Sequence, residues 1–194
     1  MQEMAKEIKS AVLLFIAFSV LTGLAYPLFM TAVIQTVMPE KAGGSLLVVD
    51  GVVLGSEFIG QNFSSPGYFH GRPSAVDYRA NGSGASNLCP TSSRLMDQVR
   101  QRVEQVRREN GLAQKEPLPA ELVLASASGL DPHISVDGAM LQVPRVAKAR
   151  GLPESEVKVQ VYQHIEPAAF GILGQERVNV LKLNLALDEL EGKR

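Results

Sequence analysis

The longest apolar stretch of the chain lies near its N-terminus. Residues 10–39 contain no Asp, Glu, Lys or Arg, and the segment from Ala11 to Ile34 is almost entirely apolar. At about 1.5 Å of rise per residue, roughly 20 apolar residues cross a hydrocarbon core of about 30 Å. The pattern therefore predicts a transmembrane helix over residues 10–38, between a short tail (1–9) and a domain formed by residues 40–194.

A cleaved signal peptide is the alternative interpretation of this stretch. Its apolar region is usually only about 7–15 residues long and is followed by small residues. The present run is longer, and bulky side chains such as Phe29 and Met30 stand where cleavage would need small ones. A retained anchor is therefore favoured.

Three residues of the anchor are candidate contacts with a second membrane helix. Pro27 removes a backbone hydrogen bond and predicts a kink, which neighbouring helices can tolerate. Gly23 offers a surface that another helix could approach closely, and Tyr26 lies between the two. A single tilted span without a partner would explain the same residues.

The remaining sequence predicts a mixture of strands and helices. Two β-rich segments around Asp50-Gly51 indicate a hairpin over residues 46–55. Residues 55–90 are rich in Gly, Ser, Pro and Asn but also in aromatic residues, which predicts an ordered irregular loop region packed on the domain.

Later segments show helical and strand patterns. Predicted helices cover residues 91–110, capped by Thr91 or Ser92 and ended by Gly111; residues 137–149, ended by Gly151; and a segment from Pro153 to about Ile165. Residues 122–124 suggest a short strand or entry segment, and 178–183 a strand before a short C-terminal helix. The expected fold is α+β: one N-terminal transmembrane helix and a single mixed α/β extracytoplasmic domain with a long ordered loop region.

The charges near the anchor predict its orientation. Lys6 and Lys9 precede the helix, whereas Lys41 is the one cation that follows it closely. Positive residues favour the cytoplasmic side, and long domains translocate largely regardless of charge. We expect a cytoplasmic N-terminus and a periplasmic or extracellular C-terminal domain.

Overall composition excludes some classes of partner and cross-link. The chain has 19 basic and 20 acidic residues, so it lacks the basic excess of a nucleic-acid-binding protein. Its single cysteine, Cys89, cannot form an internal disulfide. We expect a membrane as partner and no nucleic acid.

Sequence motifs of catalysis are not found. The chain has no Walker loop, His-Glu-x-x-His, Cys-x-x-Cys or nucleophile-elbow pattern, and its 3 histidines are too scattered for a metal site. We therefore predict no catalytic residue, no metal ligand and no enzymatic activity of the chain by itself.

One glycine-serine loop is a candidate for anion or nucleotide binding. Gly82, Ser83, Gly84 and Ser86 stand upstream of a predicted helix N-terminus and could cradle a phosphate with backbone amides. Tight turns are the commoner reason for such glycines.

The segment from Tyr68 to Ser74 is a candidate partner contact. Tyr68, Phe69 and Arg72 are residue types common at interface hot spots. In the alternative, Tyr68 and Phe69 are buried and Arg72 holds a carboxylate such as Asp77 or Asp131. Asp131 and Ser135 themselves have the pattern of turn and cap residues, although both could also steer cations.

Several blocks of the sequence resemble one known family. They are residues 22–27 (TGLAYP), 59–63 (IGQNF), 68–74 (YFHGRPS), 83–88 (SGASNL), 125–135 (ASASGLDPHIS), 142–150 (QVPRVAKAR) and 184–188 (NLALD). They closely resemble, in the same order and over nearly the whole chain, the C subunits of bacterial Kdp-type potassium-transporting ATPases. Cys89 departs from the pattern, since a small residue would be expected there.

The resemblance implies a role in a complex of the bacterial inner membrane. One partner would be a channel-like potassium-binding subunit and another a P-type ATPase catalytic subunit. The present chain would be a non-catalytic accessory subunit that braces the channel-like subunit and caps its external potassium entrance, without a cofactor of its own. A nucleotide-binding role that raises the ATP affinity of the pump has been proposed for the family. The residues alone also allow an anchored extracytoplasmic binding or chaperone module.

Overall fold

A computed structural model describes residues 2–190 and 192 of the chain. Met1, at the start of the predicted tail, and Glu191, Lys193 and Arg194, at the end of the predicted domain, lie outside the described residues. The chain separates into two units, one up to Val53 and the other from Leu54 onward.

The first unit is dominated by a helical segment of 36 residues, Gln2–Val37, which is long and apolar enough to cross a membrane. It comprises α1 (Gln2–Val20), a π-helical turn (Leu21–Ala25) and α2 (Tyr26–Val37). Side chains between residues 2 and 37 are exposed or at most half-buried. The predicted N-terminal helix is confirmed, and it begins before residue 10.

Pro27 causes the π-helical turn. Proline lacks the N–H that would bond to the carbonyl of Gly23, and its ring would clash with that carbonyl. The helix inserts a wider turn here, in which the Tyr26 N–H donates to the carbonyl of Leu21, five residues earlier. The Thr22 hydroxyl donates to the carbonyl of Phe18 at 2.7 Å. The predicted irregularity at Pro27 thus takes the form of a π turn.

A short helix and a hairpin follow. Helix α3 (Pro39–Ala42) precedes β1 (Leu46–Val49) and β2 (Val52–Ser56), which form a two-stranded sheet. Asp50 and Gly51 both have positive φ, 50° and 78°, as the two central residues of a type I′ turn require. The predicted hairpin is confirmed.

Over the residues that the structure describes, the second unit contains four longer helices and a small sheet. The helices are α4 (Ser93–Asn110), α5 (Val136–Arg150), α6 (Glu154–Gln163) and α7 (Val180–Leu190), and a 3₁₀ turn spans Ala120–Leu122. The strands are β3 (His133–Ser135), β4 (Ile165–Glu166) and β5 (Arg177–Asn179). Their order is β3-β5-β4 with both pairs antiparallel, and Val178 lies opposite both Ile134 and Ile165. The α+β class is confirmed.

Several helix ends lie at the predicted residues, although Ser92, the residue before α4, makes no capping hydrogen bond with its side chain. Gly111 and Gly151 end α4 and α5 in the left-handed conformation, with φ of 66° and 69°. The Ser135 hydroxyl accepts a hydrogen bond from the Gly138 N–H at 3.0 Å, as an N-cap does. Pro153 is the residue before α6.

Two predicted segments differ from the structure: 122–124, expected as a short strand or entry segment, is not a strand, and the strand predicted from residue 178 is shorter. Residues 122–124 follow a 3₁₀ turn with Leu122 and Val123 buried, and the strand predicted for 178–183 ends at Asn179. The Asn179 side chain accepts a hydrogen bond from the Lys182 N–H at 3.1 Å and thereby starts α7. Since Val180, Leu183 and Leu187 recur at helical spacing and all are buried, packing favours a helix over a longer strand.

The core of the second unit is formed by one face each of α5, α6 and α7 and by the three-stranded sheet. It includes Ile134, Val143, Val146, Val157, Val161, Val178, Leu183 and Leu187. The irregular region predicted for residues 55–90 spans 57–92 in the structure, packs on this core and contributes the fully buried ring of Phe69. By contrast, the apolar stripe of α4 (Leu95, Val99, Val103 and Val106) is only half-buried.

Candidate functional site

The predicted membrane contacts lie at the π turn. A Cβ added to Gly23 would meet no described atom within 4 Å, so the glycine leaves an open notch on the helix. Tyr26 is exposed next to Pro27. Contact of these three residues with a second helix remains a prediction.

The predicted contact segment around Tyr68 is held from within the domain. The Phe69 N–H donates to the side-chain oxygen of Asn184 at 2.8 Å, and the Asn184 amide donates back to the Phe69 carbonyl at 3.0 Å. Gln142 makes the same pair of bonds with the main chain of His70, at 2.8 and 3.1 Å. Both amide side chains are buried. They provide the hydrogen bonds that a neighbouring strand would otherwise make with the main chain of Phe69 and His70.

Two guanidinium groups extend this set of contacts. Arg145 donates to the carbonyls of Pro66 and Tyr68 at 2.6 and 2.9 Å. Arg150 donates to the carbonyl of Gly67 at 2.5 Å and to Asp188 at 2.9 Å. We call Gln142, Arg145, Arg150 and Asn184 the clamp.

The clamp determines what the predicted contact residues can do. Phe69 has no exposed surface, so it belongs to the core, as the alternative interpretation expects, and offers nothing to a partner in this structure. Tyr68 is half-buried: its hydroxyl donates to Asp188 at 3.0 Å, and Arg150 lies 4.8 Å from the centre of its ring. Only part of the Tyr68 side chain is therefore accessible.

Arg72 is also engaged inside the domain. Its guanidinium lies 3.1 Å from Asp131, both side chains being half-buried, which is the ion pair that the alternative interpretation allows. Asp131 also accepts from the His133 N–H at 3.0 Å and so closes the predicted turn. The Nε of Arg72 is buried and has no hydrogen-bond partner among residues 2–190 and 192. Contact between Arg72 and a partner subunit remains a prediction.

A cleft of about 340 Å³ lies between the loop region and α4. His70, Arg72, Tyr78, Arg102 and Glu109 are among the residues that line it. The Tyr78 hydroxyl donates to the carbonyl of Arg72, and the Arg102 guanidinium donates to the carbonyl of Val123 at 3.1 Å. These two polar side chains of the cleft are thus already hydrogen-bonded to main-chain carbonyls of the domain.

Burial determines the protonation of two cleft residues. It is the main cause that lowers the pKa of His70, and the positive charge of Arg145 adds to it, while Glu109 opposes it from 3.5 Å. Burial, reinforced by Asp131, raises the pKa of Tyr78 to about 12. The imidazole of His70 and the phenol of Tyr78 are therefore neutral near pH 7, and both are already engaged within the domain. The described part of the chain shows no group of three or more metal-ligating side chains.

The glycine-serine loop is attached to the segment before Gly129. The N–H groups of Gly82 and Gly84 donate to the carbonyls of Arg79 and Ser128 at 3.1 and 2.8 Å. The Ser83 hydroxyl also donates to the Ser128 carbonyl, at 3.0 Å, and Ser86 is exposed. The donors of Gly82, Ser83 and Gly84 are bonded within the domain, so this conformation does not aim them at an anion.

Sequence reasoning missed the clamp and a second charged cluster. Lys182 contacts Glu57 and lies 3.5 Å from Glu166, which in turn lies 3.2 Å from both His133 and Arg177. The clamp could have been recognised in the sequence from polar residues on an apolar helix face, such as Asn184 between Leu183 and Leu187.

Comparisons with known proteins agree on one family. A family model described as K+-transporting ATPase, c chain, matches residues 8–189. Relatives named potassium-transporting ATPase KdpC subunit include one from Nitratidesulfovibrio vulgaris, 50% identical over 96% of this chain and 95% of its own length. Those from Rhodopseudomonas palustris and Methylobacterium nodulans are 48% and 47% identical over 95% and 98% of this chain, and over 98% and 100% of their own lengths.

The N-terminal helix and the fold define a membrane-associated protein of the α+β class. The chain belongs to the KdpC family and is a subunit of the potassium-transporting ATPase. The resemblance seen in the sequence is thereby confirmed.

The clamp predicts a large effect of removing one buried amide. Asn184→Leu leaves the N–H and C=O of Phe69 without partners, and each unpaired buried group costs about 1–3 kcal/mol. We expect the free energy of unfolding to fall by about 2–5 kcal/mol. Urea titration followed by circular dichroism measures it, since the chain has no tryptophan. Asn81→Leu, at an exposed asparagine, is the matched control and should change stability by less than about 0.5 kcal/mol. Equal urea midpoints for both variants would contradict a stabilising role of Asn184.

The raised pKa of Tyr78 predicts a stability difference that depends on pH. Tyr78→Phe removes the hydrogen bond to the Arg72 carbonyl and should cost about 1 kcal/mol near pH 8. In the wild type the unfolded state loses the phenol proton near pH 10 and the folded state near pH 12. Stability linked to the neutral phenol is therefore lost as the pH rises through this window.

Urea midpoints of both proteins at pH 8 and pH 11 test this expectation. The advantage of the wild type should shrink at the higher pH, whereas Tyr162→Phe, at an exposed tyrosine, should match the wild type at both. A wild-type advantage that is the same at both pH values would rule out the proposed protonation of Tyr78.

Proposed function

We propose that the chain is a non-catalytic accessory and assembly subunit of an ATP-driven, high-affinity potassium uptake pump. Its helix braces the channel-like, potassium-binding subunit, and its domain caps the external potassium entrance beside the P-type ATPase catalytic subunit. The proposal depends on the Gln2–Val37 helix, whose apolar side chains are exposed. The chain that carries this helix belongs to a family of ATPase subunits. Such an exposed apolar surface is stable in contact with lipid or with neighbouring helices.

The orientation follows from the flanking charges. Lys6 and Lys9 keep the N-terminus in the cytoplasm, and Lys41 after the helix gives a weaker opposing signal. The domain then lies in the periplasm or outside the cell, on the face of the inner membrane from which potassium enters the pump.

A structural role fits the way in which the domain uses its polar groups. Gln142, Arg145 and Asn184 are buried and bonded to the main chain of the loop region, and Arg72 is paired with Asp131. These side chains therefore hold the fold together. The nucleotide-binding alternative receives no support from the glycine-serine loop, whose Gly82 and Gly84 N–H groups bond within the domain.

Co-purification from membranes tests the proposal. A tagged full-length chain, expressed with its operon partners and solubilised in mild detergent, should bring a large multi-span protein and a potassium-stimulated ATPase with it. A chain that leaves the membrane alone would refute the proposal and favour an independent anchored module.

The notch at Gly23 gives a sharper variant for the same assay. Gly23→Leu fills open space and improves helix propensity, so it should not harm the isolated helix. If a partner helix packs there, recovery of the partners should fall by about tenfold, while Ala17→Leu, at another small exposed residue of the same helix, should leave it unchanged. Unchanged recovery with Gly23→Leu would exclude this contact but leave the subunit role intact.

A further inference from the structure

The connection between β4 and β5 carries the most exposed apolar side chains of the domain. Residues 167–175 include no charged residue, and Phe170, Ile172 and Leu173 are 92%, 81% and 59% exposed. We call residues 168–174 the apolar tip. A cluster of large apolar side chains at such exposure typically marks a binding surface.

The backbone of the apolar tip is closed on itself. Ala169 and Leu173 exchange two hydrogen bonds, of 2.8 and 2.9 Å, and the Gly171 N–H donates to the Ala168 carbonyl at 2.9 Å. Phe170 has a φ of 55°, a left-handed conformation that is uncommon for a bulky residue. The tip is therefore a preformed turn that holds its apolar side chains outward, and such preorganisation lowers the entropic cost of binding.

Charged residues surround the base of the apolar tip. Glu166 lies 3.2 Å from both His133 and Arg177 and 3.5 Å from Lys182. An apolar centre bordered by satisfied polar residues is the usual arrangement of a protein interface.

The same charges disfavour a lipid surface as the occupant. Segments that bind anionic lipids carry clusters of Lys and Arg. The charged residues nearest to the tip along the chain are Glu166, Glu176 and Arg177, and Arg177 is already paired with Glu166. An anionic bilayer surface would therefore gain little from this loop.

We infer that the apolar tip inserts Phe170 and Ile172 into an uncharged, apolar pocket on the outward-facing surface of another subunit of the same ATPase. This inference rests on the proposed function, since it requires a partner subunit on the side of the membrane where the domain lies. Aromatic side chains in such pockets are typical anchors of binding energy.

Photo-crosslinking in intact cells tests the inference directly. A photoreactive phenylalanine analogue at position 170 of the full-length chain, expressed with its operon partners, should yield a covalent adduct with one protein subunit of the complex. The same analogue in place of Tyr162, a 63%-exposed aromatic residue of α6, serves as the matched control and should yield far less. Adducts with lipid alone, or equal protein adducts at both positions, would overturn the inference.

Charge substitution supplies a second measurement. Phe170→Asp places a carboxylate in the pocket, and Asp tolerates positive φ. We expect recovery of the co-purifying subunits to fall by about tenfold or more, with Phe170→Tyr close to the wild type and Tyr162→Asp unchanged. If Phe170→Asp retains full recovery, the inference fails although the proposed function stands. If the wild-type chain recovers no partner, both fail.

Discussion

The second unit depends on hydrogen bonds that its helices supply to a buried irregular segment. The main chain from Pro66 to His70 runs against the core without a neighbouring strand, and unpaired buried backbone groups are costly. Gln142, Arg145 and Arg150 from α5 and Asn184 from α7 provide the missing partners. The positions of both helices and of the loop region are thereby fixed together, and the ring of Phe69 can enter the core.

This use of polar side chains limits what the domain can do chemically. Residues that would suit catalysis in another setting are bonded to main-chain groups or to each other, as Arg72 is to Asp131. Two apolar and exposed features have no role within the fold: the notch at Gly23 in the helix and the tip around Phe170 in the domain. A subunit that acts by packing and positioning needs such surfaces.

Local patterns predicted the elements that depend on local physics. The charge-free run of the anchor, the Asp50-Gly51 turn and the helix ends at Gly111 and Gly151 lie where the sequence indicates. The strand predicted over 178–183 extends too far because Val178 and Val180, and then Leu181 and Leu183, alternate with polar residues as in a strand, while Val180 and Leu183 also match a helix period. The cap formed by Asn179 decides between the two.

Long-range contacts could not be predicted in this way. Phe69 and Asn184 are separated by 115 residues, and neither residue type identifies the other as its partner. For Arg72, the sequence left open whether Asp77 or Asp131 is the partner, and the structure shows an ion pair with Asp131. The apolar tip escaped notice because a run such as AAFGIL has the composition of a core segment, and only its exposure in the fold indicates a surface role.

The proposal that the folded domain lies outside the cytoplasm can be tested at Cys89, the single cysteine of the chain. Its thiol is exposed, and hydrogen bonds from Thr91 lower its pKa, which favours alkylation near neutral pH. With the periplasm made accessible in otherwise intact cells, a membrane-impermeant maleimide should label Cys89 before lysis. A Cys89→Ser, Lys6→Cys variant should be labelled only after lysis. Labelling of Cys89 only after lysis would place the domain in the cytoplasm and contradict the proposed role.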